Sequence, residues 1–220
     1  MSRSNVGHRF MMGPCLAVAI LIAASSAQAA SIDSSFTNLD FDASTQAYFP
    51  GGFDNATYNI PGWRDYTAIT DGGIEFEGAW WSPYQAYSAF VKTGEGLYNS
   101  SSYVIQSGDV FQVSAFAKRW NANDLPEMVV TLFYGADPSM NAIGSFNTGA
   151  LTGTWTSYGS TISATAGSVG QTLGVRVVGA GTWFTNFDEL SINVIPEPAS
   201  VGLAGVALIG LLTAARRRVR

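Results

Sequence analysis

Between its two ends, the chain alternates apolar and polar positions with a period of two. Residues 110–118 show this most clearly, because Phe111, Val113 and Ala115 alternate with polar side chains. Successive side chains of a strand point to opposite faces, so the alternation predicts a strand with one buried face. Short runs of this kind, rich in β-branched and aromatic residues and separated by Gly, Asn, Asp and Ser, continue to residue 194. The pattern predicts about nine to eleven strands, an all-β fold, and a sandwich or barrel.

Four further segments have the composition of strands, and they are residues 128–134, 155–162, 173–178 and 183–194. The first is a continuous apolar run, which indicates a central strand. Trp63, Trp155 and Trp183 fall within strand patterns and are therefore predicted to be core residues. Asp71-Gly72-Gly73, flanked by short apolar runs, predicts a β-hairpin between residues 66–70 and 74–76.

The first 29 residues have the three parts of a secretory signal peptide. Arg3 and Arg9 form a basic region, and residues 15–24 form an apolar core. Ala27 and Ala29 then supply the small side chains that a signal peptidase requires at its cleavage site. We predict cleavage after Ala29 and export across the inner membrane.

A second apolar stretch, residues 199–215, precedes a basic cluster at 216–220 that includes Arg216, Arg217 and Arg218. As a helix, this stretch spans about 25 Å at roughly 1.5 Å per residue, close to the thickness of a bilayer core. Arginines at the end of a membrane span favour the cytoplasmic side. The stretch is therefore predicted to be a transmembrane helix, with the preceding residues outside the cytoplasm.

Pro196, Glu197 and Pro198 stand directly before this stretch. The order of the tripeptide, the apolar span and the arginine cluster resembles the PEP-CTERM sorting signal of Gram-negative bacteria, which a membrane protease called exosortase recognises. The resemblance implies sorting of residues 196–220 by an exosortase-type protease, with the protein then at the cell surface or in the extracellular matrix. An ordinary C-terminal membrane anchor is the alternative interpretation.

The single histidine, His8, and the single cysteine, Cys15, both lie in the predicted signal peptide. The exported part therefore cannot build a Ser-His-Asp triad, a cysteine nucleophile, a His-ligated zinc site or a disulfide. Residues 30–197 hold five bases and sixteen carboxylates, a formal charge of −11. So acidic a domain repels the phosphates of nucleic acid, and nucleic acid is excluded as a partner.

Five landmarks follow one another along the domain, and they are residues 38–42, 60–63, 111–118, 153–159 and 186–192. They include Asn38-Leu39-Asp40-Phe41-Asp42 near the start and Asn186-Phe187-Asp188-Glu189-Leu190 near the end. Their order resembles the jelly-roll carbohydrate-binding modules and the related galactose-binding-like sandwiches. The resemblance implies that residues 30–195 form a single jelly-roll-like β-sandwich that binds polysaccharide, such as the exopolysaccharide of the cell itself.

Members of these families commonly bind a structural calcium ion between the first and last strands. The resemblance places this ion at Asp42 and Asp188, with Asp40 and Glu189 as further candidate ligands. Calcium takes six to eight oxygen ligands, which carboxylates and backbone carbonyls provide. The alternative is that Asp40 and Asp42 are solvent-facing residues at the end of a strand, sharing one face.

The densest aromatic segment contains Trp80, Trp81, Tyr84 and Tyr87 and is interrupted by a proline. Indole and phenol rings stack on the apolar faces of sugar rings, and neighbouring polar side chains bind the hydroxyls. We therefore predict a sugar-binding platform at these four residues, with Glu77 or Arg64 nearby. The alternative is that some of the rings belong to the core.

Glu75 and Glu77 share one face of a predicted strand, and a pair of carboxylates can hydrolyse a glycosidic bond. Their alternation with apolar residues is better explained as the solvent-facing side of an edge strand, so no catalytic residue is assigned. The sequence thus favours a non-catalytic polysaccharide-binding protein. A structural or adhesive matrix protein without sugar binding is the alternative, and a carboxylate-based glycoside hydrolase is a weaker one.

Overall fold

The computed structural model describes residues 29–43, 53–54, 60–67, 72–75 and 87–195. The predicted membrane helix, the sorting residues from Pro196 onward and the signal peptide up to residue 28 lie outside this part of the chain. Within it, twelve strands form two sheets, and the only helix is a 3-10 turn at Asp33–Ser35. No helix among these residues has the length and apolar character that crossing a membrane requires.

The strands have the following bounds: β1, Ala30–Ser31; β2, Phe53–Asp54; β3, Trp63–Asp65; β4, Gly73–Glu75; β5, Ser88–Lys92; β6, Gly96–Val104; β7, Val110–Arg119; β8, Pro126–Tyr134; β9, Ala142–Asn147; β10, Thr156–Ser163; β11, Thr172–Gly181; β12, Phe184–Ile195. All their pairings within the sheets are antiparallel. The predicted all-β, jelly-roll-like sandwich is confirmed.

The larger sheet has seven strands in the order β10-β7-β12-β5-β4-β2, with β1 also pairing with β12. The smaller sheet has five strands in the order β3-β6-β11-β8-β9. The core lies between the sheets, and it includes Phe111 and Val113 of β7 and Leu132 of β8. The alternation along residues 110–118 therefore reports the strand β7 correctly.

The last strand, β12, changes face in its middle. Phe187 belongs to the core before this point, whereas Leu190 and Ile192 belong to it afterwards. Opposite β7, the register of β12 shifts between Asp188 and Ser191, and Glu189 has a φ of 50°. This is a β-bulge, which inserts one residue and reverses the alternation of the strand.

The segment before β2 packs on the core as a series of turns. Asn38 and Phe41 have φ values of 59° and 60°, and residues 38–42 form turns and bends, so the alternative that Asp40 and Asp42 share one face at the end of a strand is wrong. The ring of Phe41 stacks on Trp63 at 4.8 Å between centroids and meets Phe187 edge-on at 5.4 Å. The indole Nε1 of Trp63 donates a hydrogen bond to the carbonyl of Asn38 at 2.7 Å. These contacts fix the turns and confirm Trp63 as a core residue.

The predicted hairpin around Asp71-Gly72-Gly73 is wrong. β4 pairs with β2 on one side and with β5 on the other, which leaves no side of it for residues 66–70. β3, which precedes those residues, pairs with β6 in the smaller sheet. The packing of Trp63 against Phe41 holds β3 at the edge of the smaller sheet. The chain therefore crosses from one sheet to the other after β3, and a local turn signal does not reveal such a crossing.

Candidate functional site

The outer face of the larger sheet, turned away from the core, carries the most distinctive group of side chains. Phe187 of β12 points inward, so Phe184, Asn186 and Asp188 point outward. In the neighbouring strands, Phe90 pairs with Asn186 from one side and Lys118 pairs with it from the other. Paired residues share a face, so these side chains form one surface across β5, β12 and β7.

One part of this face is an aromatic patch made of Phe90, Trp120, Trp183 and Phe184. Ring centroids lie 6.0 Å apart for Phe90 and Phe184, 5.7 Å for Trp120 and Phe184, and 5.4 Å for Trp183 and Phe184. The ammonium of Lys92 lies 5.8 Å from the Trp183 ring and 5.9 Å from the Phe184 ring. Trp183 is 49% exposed, so the patch is open to solvent at this end.

The prediction that Trp155 and Trp183 are core residues is wrong. Trp183 has a φ of 70° and stands in the turn before β12 rather than within the strand. Trp155 is half-buried just before β10, and the ammonium of Lys118 lies 5.3 Å above its ring. Each of these tryptophans precedes its strand rather than lying within it, so the alternation of the strand does not determine which way its side chain points.

The second part of the face is a polar row made of Glu75, Ser88, Lys118, Asn186 and Asp188. All five side chains are buried although they point away from the core, with Glu75 at 2% and Lys118 at 7% exposure. The amide of Asn186 donates a hydrogen bond to the Glu75 carboxylate. Oδ1 of Asn186 and Oγ of Ser88 are buried without a hydrogen-bond partner in the described structure.

Burial dominates the electrostatics of the polar row. It raises the pKa of Glu75 to about 8, although the charge of Lys118 and the hydrogen bond from Asn186 both act to lower it. Burial also lowers the pKa of Lys118, which the charge of Glu75 partly offsets. The interpretation of Glu75 as a solvent-facing residue of an edge strand is therefore wrong, since β4 lies between β2 and β5.

The residues predicted to bind sugar are only partly described. Trp80, Trp81 and Tyr84 lie outside the described residues, and so does Glu77. Tyr87, one residue before β5, is half-buried and packs against the core. Arg64 is exposed on β3, in the other sheet, and therefore does not accompany Tyr87.

Three of the carboxylates predicted to bind calcium, Asp40, Asp42 and Glu189, lie near one another where the N-terminal turns meet the bulge of β12. Burial, together with the charges of Asp40 and Glu189, raises the pKa of Asp42 to about 6. Asp188 is fully buried, and its Oδ1 accepts a hydrogen bond from the amide of Glu189 at 2.7 Å. A cavity of about 420 Å³ beside them is lined in part by Asp33, Asp40 and Glu189.

These carboxylates suit a divalent cation in charge and in ligand type, because their mutual repulsion favours a bound positive charge. Their arrangement is looser than a formed metal site. Within the described parts of the chain, no three Asp, Glu, His or Cys side chains converge closely enough to hold a metal ion. The calcium site therefore stays a prediction.

The aromatic patch was missed because its members are spread over three strand ends, and each looks like an ordinary strand residue. In the structure Phe184, Asn186 and Asp188 point outward while Thr185 and Phe187 are buried inward. Both sets consist of aromatic and polar residues, so a period of two in the sequence does not show which set faces outward.

The candidate signals at the two ends can be placed only in part. Ala29 is exposed and stands directly before β1, and cleavage after it stays a prediction. Ala27, Pro196, Glu197 and Pro198 lie outside the described residues, as does the arginine cluster with Arg216, Arg217 and Arg218.

Comparison with solved structures finds similar sandwiches. The chain is 16% identical to the CBM22-1 xylan-binding domain of Paenibacillus barcinonensis Xyn10C, with a TM-score of 0.43, covering 68% of this chain and 99% of that one. It is 16% identical to the CBM22-2 xylan-binding domain of the same protein, with a TM-score of 0.44, covering 61% and 92%. It is 17% identical to the MgGH51 α-L-arabinofuranosidase in its arabinose-bound form, with a TM-score of 0.46. This last match covers 71% of the present chain but only 26% of the arabinofuranosidase.

A search of curated proteins finds no match to the sequence. A family model described as the PEP-CTERM protein-sorting motif matches residues 194–218, the segment that contains Pro196, Glu197 and Pro198. The first two matched residues, Val194 and Ile195, are the last two of β12. The chain thus carries a PEP-CTERM sorting motif, which implies export and C-terminal sorting, directly after a jelly-roll-like β-sandwich.

Proposed function

We propose that this chain is an exported, non-catalytic surface or extracellular-matrix protein that binds polysaccharide on the outer face of its larger sheet. The observation that carries the proposal is the aromatic patch, in which the exposed ring of Trp183 stands beside Phe184 and Lys92. An indole ring held open to solvent offers a flat apolar surface on which a sugar ring stacks. The cation beside it adds a hydrogen-bond donor for hydroxyl groups.

Large aromatic side chains are normally buried, because each removes roughly 150–250 Å² from water. Trp183 instead sits in a turn with a positive φ, which costs backbone energy for a bulky residue. A structural role within the core does not account for such a position. Ligand binding does, since the open ring becomes buried only when a partner covers it.

The polar row supports the aromatic patch from the same face. Lys118 covers Trp155, and Asn186 holds Glu75, so the surface below a bound chain is fixed by hydrogen bonds and by cation–π contact. Rigid side chains lose little conformational entropy on binding, which favours affinity.

A hydrolytic role is less well supported than binding. Glu75 is nearly fully buried, so its carboxyl is not placed to reach a glycosidic bond in a ligand lying on the surface. The exported residues contain neither histidine nor cysteine. The protein is therefore proposed to hold polysaccharide rather than to cut it.

The two chain ends determine where this binding takes place. In the proposed sequence of events, a signal peptidase cuts after Ala29 and residues 199–215 hold the protein in the membrane, with Arg216, Arg217 and Arg218 in the cytoplasm. An exosortase-type protease then acts at Pro196, Glu197 and Pro198 and passes the domain to the cell surface or the matrix. Alanine at all three of these positions should leave the unprocessed protein in the membrane fraction.

One structural calcium ion belongs to the proposal as a stabilising element. Asp42, Asp40 and Glu189 would supply oxygen ligands, together with Asp188 of the same bulge. The raised pKa of Asp42 supports this assignment. Burial and the negative charges of Asp40 and Glu189 destabilise the ionised carboxylate, and a bound cation would offset this by neutralising the charge. The ion would tie the N-terminal turns to β12, in a domain that has no disulfide.

A glycan array tests the proposal, with the purified chain applied in calcium and again in EDTA. We expect binding to a defined class of polysaccharide, and we expect Trp183→Ala and Trp120→Ala each to weaken it at least tenfold, by loss of stacking worth roughly 1.4 kcal/mol. Tyr66→Ala is the matched control, because Tyr66 follows β3 in the opposite sheet. Absence of binding in both buffers would favour the structural or adhesive alternative.

A further inference from the structure

One side of the sandwich ends in two free strands. β10 is the edge of the larger sheet and β9 is the edge of the smaller one, and no other strand among the described residues pairs with their outward sides. The two edges lie against each other. Gly144 of β9 is so close to Ile162 of β10 that a Cβ at position 144 would meet that side chain at 2.9 Å. We call β9 and β10 together the neutral flank.

The neutral flank carries few of the features by which proteins normally protect a sheet edge, the exception being a bulge near Ile143 of β9, where the register with β8 shifts. Such features are charged side chains, prolines, bulges and very short strands. β10 is eight residues long, and neither β9 nor β10 contains a charged residue or a proline. Four residues of β10 are exposed, and they are Ser157, Gly159, Thr161 and Ser163. An edge of this length and composition is available for pairing with another strand.

Charge makes this side of the domain unlike the rest. Residues 138–187 contain a single charged side chain, Arg176, although residues 30–197 have a formal charge of −11. Arg176 lies on β11, where it stacks on Tyr66 at 4.3 Å and donates a hydrogen bond to the carbonyl of Pro138 in the loop before β9. Two copies of an anionic domain repel each other least where neither carries charge.

We infer that the neutral flank pairs with the neutral flank of a second copy of this chain. Identical edges related by a two-fold axis are automatically complementary, and they run antiparallel to one another. An axis perpendicular to the sheets would join β10 to the β10 of the second copy and β9 to its β9. Both sheets would then continue without a break across the dimer.

A second copy fits this surface better than an unrelated strand does. On the outward face of β10 the side chains that meet across the pairing would be Ser, Thr and Gly. The remaining side chains of β9 and β10 are also uncharged, so no like charges come into contact. β9 and β10 themselves offer no carboxylate to a cationic partner, and the neighbouring carboxylate of Glu127 already accepts a hydrogen bond from Asn147 of β9 at 2.7 Å. An anionic partner would be repelled by the remainder of the domain. The inference does not depend on polysaccharide binding.

Sedimentation velocity of the full chain, purified in detergent, tests the inference over a wide concentration series. We expect the protein mass to double as concentration rises. Ser157→Lys with Thr161→Lys places two positive charges on β10 and should hold the protein at the mass of one chain. Gln112→Lys with Asn193→Lys is the matched control, because these residues share the same outward face but lie on the inner strands β7 and β12.

The two variants add equal charge. Both keep the apolar stretches at residues 15–24 and 199–215, so any association through those stretches is the same in both. Dimers in the wild-type and control proteins, with single chains in the edge variant, would support the inference. A wild-type protein that stays a single chain throughout would overturn it, and so would dimers that survive the edge substitutions. Dissociation of both variants would also overturn it, since the contact would then not involve the edge. Equal melting temperatures verify that both variants are folded.

Discussion

Asn186 reaches across a strand to bind Glu75. The two residues belong to β12 and β4, which are separated by β5, and the amide donates its hydrogen bond to the carboxylate over the outer face of the sheet. Glu75 is thereby held in a place where its charged form is poorly solvated, and burial raises its pKa to about 8. The burial of this carboxyl therefore involves three strands of the larger sheet: β4 carries Glu75, β12 supplies Asn186, and β5 lies between them.

The stability of the domain should depend on the ionisation of Glu75. Its ordinary pKa of 4.5 rises to about 8 in the fold, so between these values the folded state holds a proton that the unfolded state has released. The contribution of Glu75 to the free energy of unfolding is fully present below pH 4.5. It falls by on the order of 1 kcal/mol per pH unit as the pH rises from 4.5 to 8. Glu75→Gln should flatten this dependence, measured as the free energy of unfolding against pH.

The matching substitution Glu127→Gln provides the control for this experiment. Glu127 lies on β8 in the other sheet and is half-buried. Its replacement should leave the slope between pH 4.5 and 8 in place. A slope that persists unchanged in Glu75→Gln would show that another group is responsible.

Phe133 and Gly174 face each other across β8 and β11, and the phenyl ring fills the space above the glycine. A Cβ at position 174 would overlap the Cζ of the ring. Gly174→Ala should therefore force the ring aside and destabilise the domain by about 1–3 kcal/mol, measured by chemical denaturation.

Gly153→Ala is the appropriate comparison, because a Cβ there would meet its nearest neighbour, Arg119, at an ordinary 3.5 Å. We expect it to change stability by much less. Equal losses in the two variants would contradict the packing explanation.

Calcium should stabilise the protein through the carboxylates at the bulge. We expect calcium to raise the melting temperature, and magnesium at the same concentration to raise it less, because the site offers many oxygens in irregular turns. Asp42→Asn should remove the calcium response. The same substitution should raise stability in EDTA at neutral pH, because it relieves the burial and repulsion that bring the pKa of Asp42 to about 6.

The two readouts for Asp42 have opposite signs, which separates a ligand from a merely unfavourable charge. If Asp42→Asn stabilises the protein in EDTA and the calcium response remains, the ion binds elsewhere. If the wild-type protein does not respond to calcium, no structural calcium is present.

Trp80 and Trp81 remain predicted sugar-binding residues. Alanine at each position should weaken glycan binding without lowering the melting temperature, because a ring that serves a ligand contributes little to the core. A fall in melting temperature with unchanged affinity would assign them to packing, as for the half-buried Tyr87.

Local patterns predicted the strands well and their partners poorly. The alternation along residues 110–118 identified the limits of β7 to within one residue, and also its buried face, because every second residue lies in the core. The Asp71-Gly72-Gly73 signal failed, because β4 pairs with β2 and β5 and has no side left for the residues before the turn. Such pairings join residues that no short sequence window contains.

The candidate site divides in the same way. The family resemblance predicted calcium ligands at Asp42 and Asp188, with Asp40 and Glu189 as further candidates. The structure brings Asp40, Asp42 and Glu189 near one another, and the calcium site itself stays a prediction. The aromatic patch did not follow, because Trp120 and Trp183 come from the ends of different strands and meet only after the sheet has formed. Period two assigns a residue to a face, but not to its neighbours on the next strand.

The position of β12 also affects when the domain can form. This strand is the last one among the described residues, yet it lies inside the larger sheet, between β7 and β5, and also pairs with β1. Neither neighbour can complete its ladder before residues 184–195 arrive. The larger sheet therefore cannot close until synthesis and export have delivered the chain as far as residue 195. The sorting motif begins at residue 194, so it becomes available only together with the last strand of the fold.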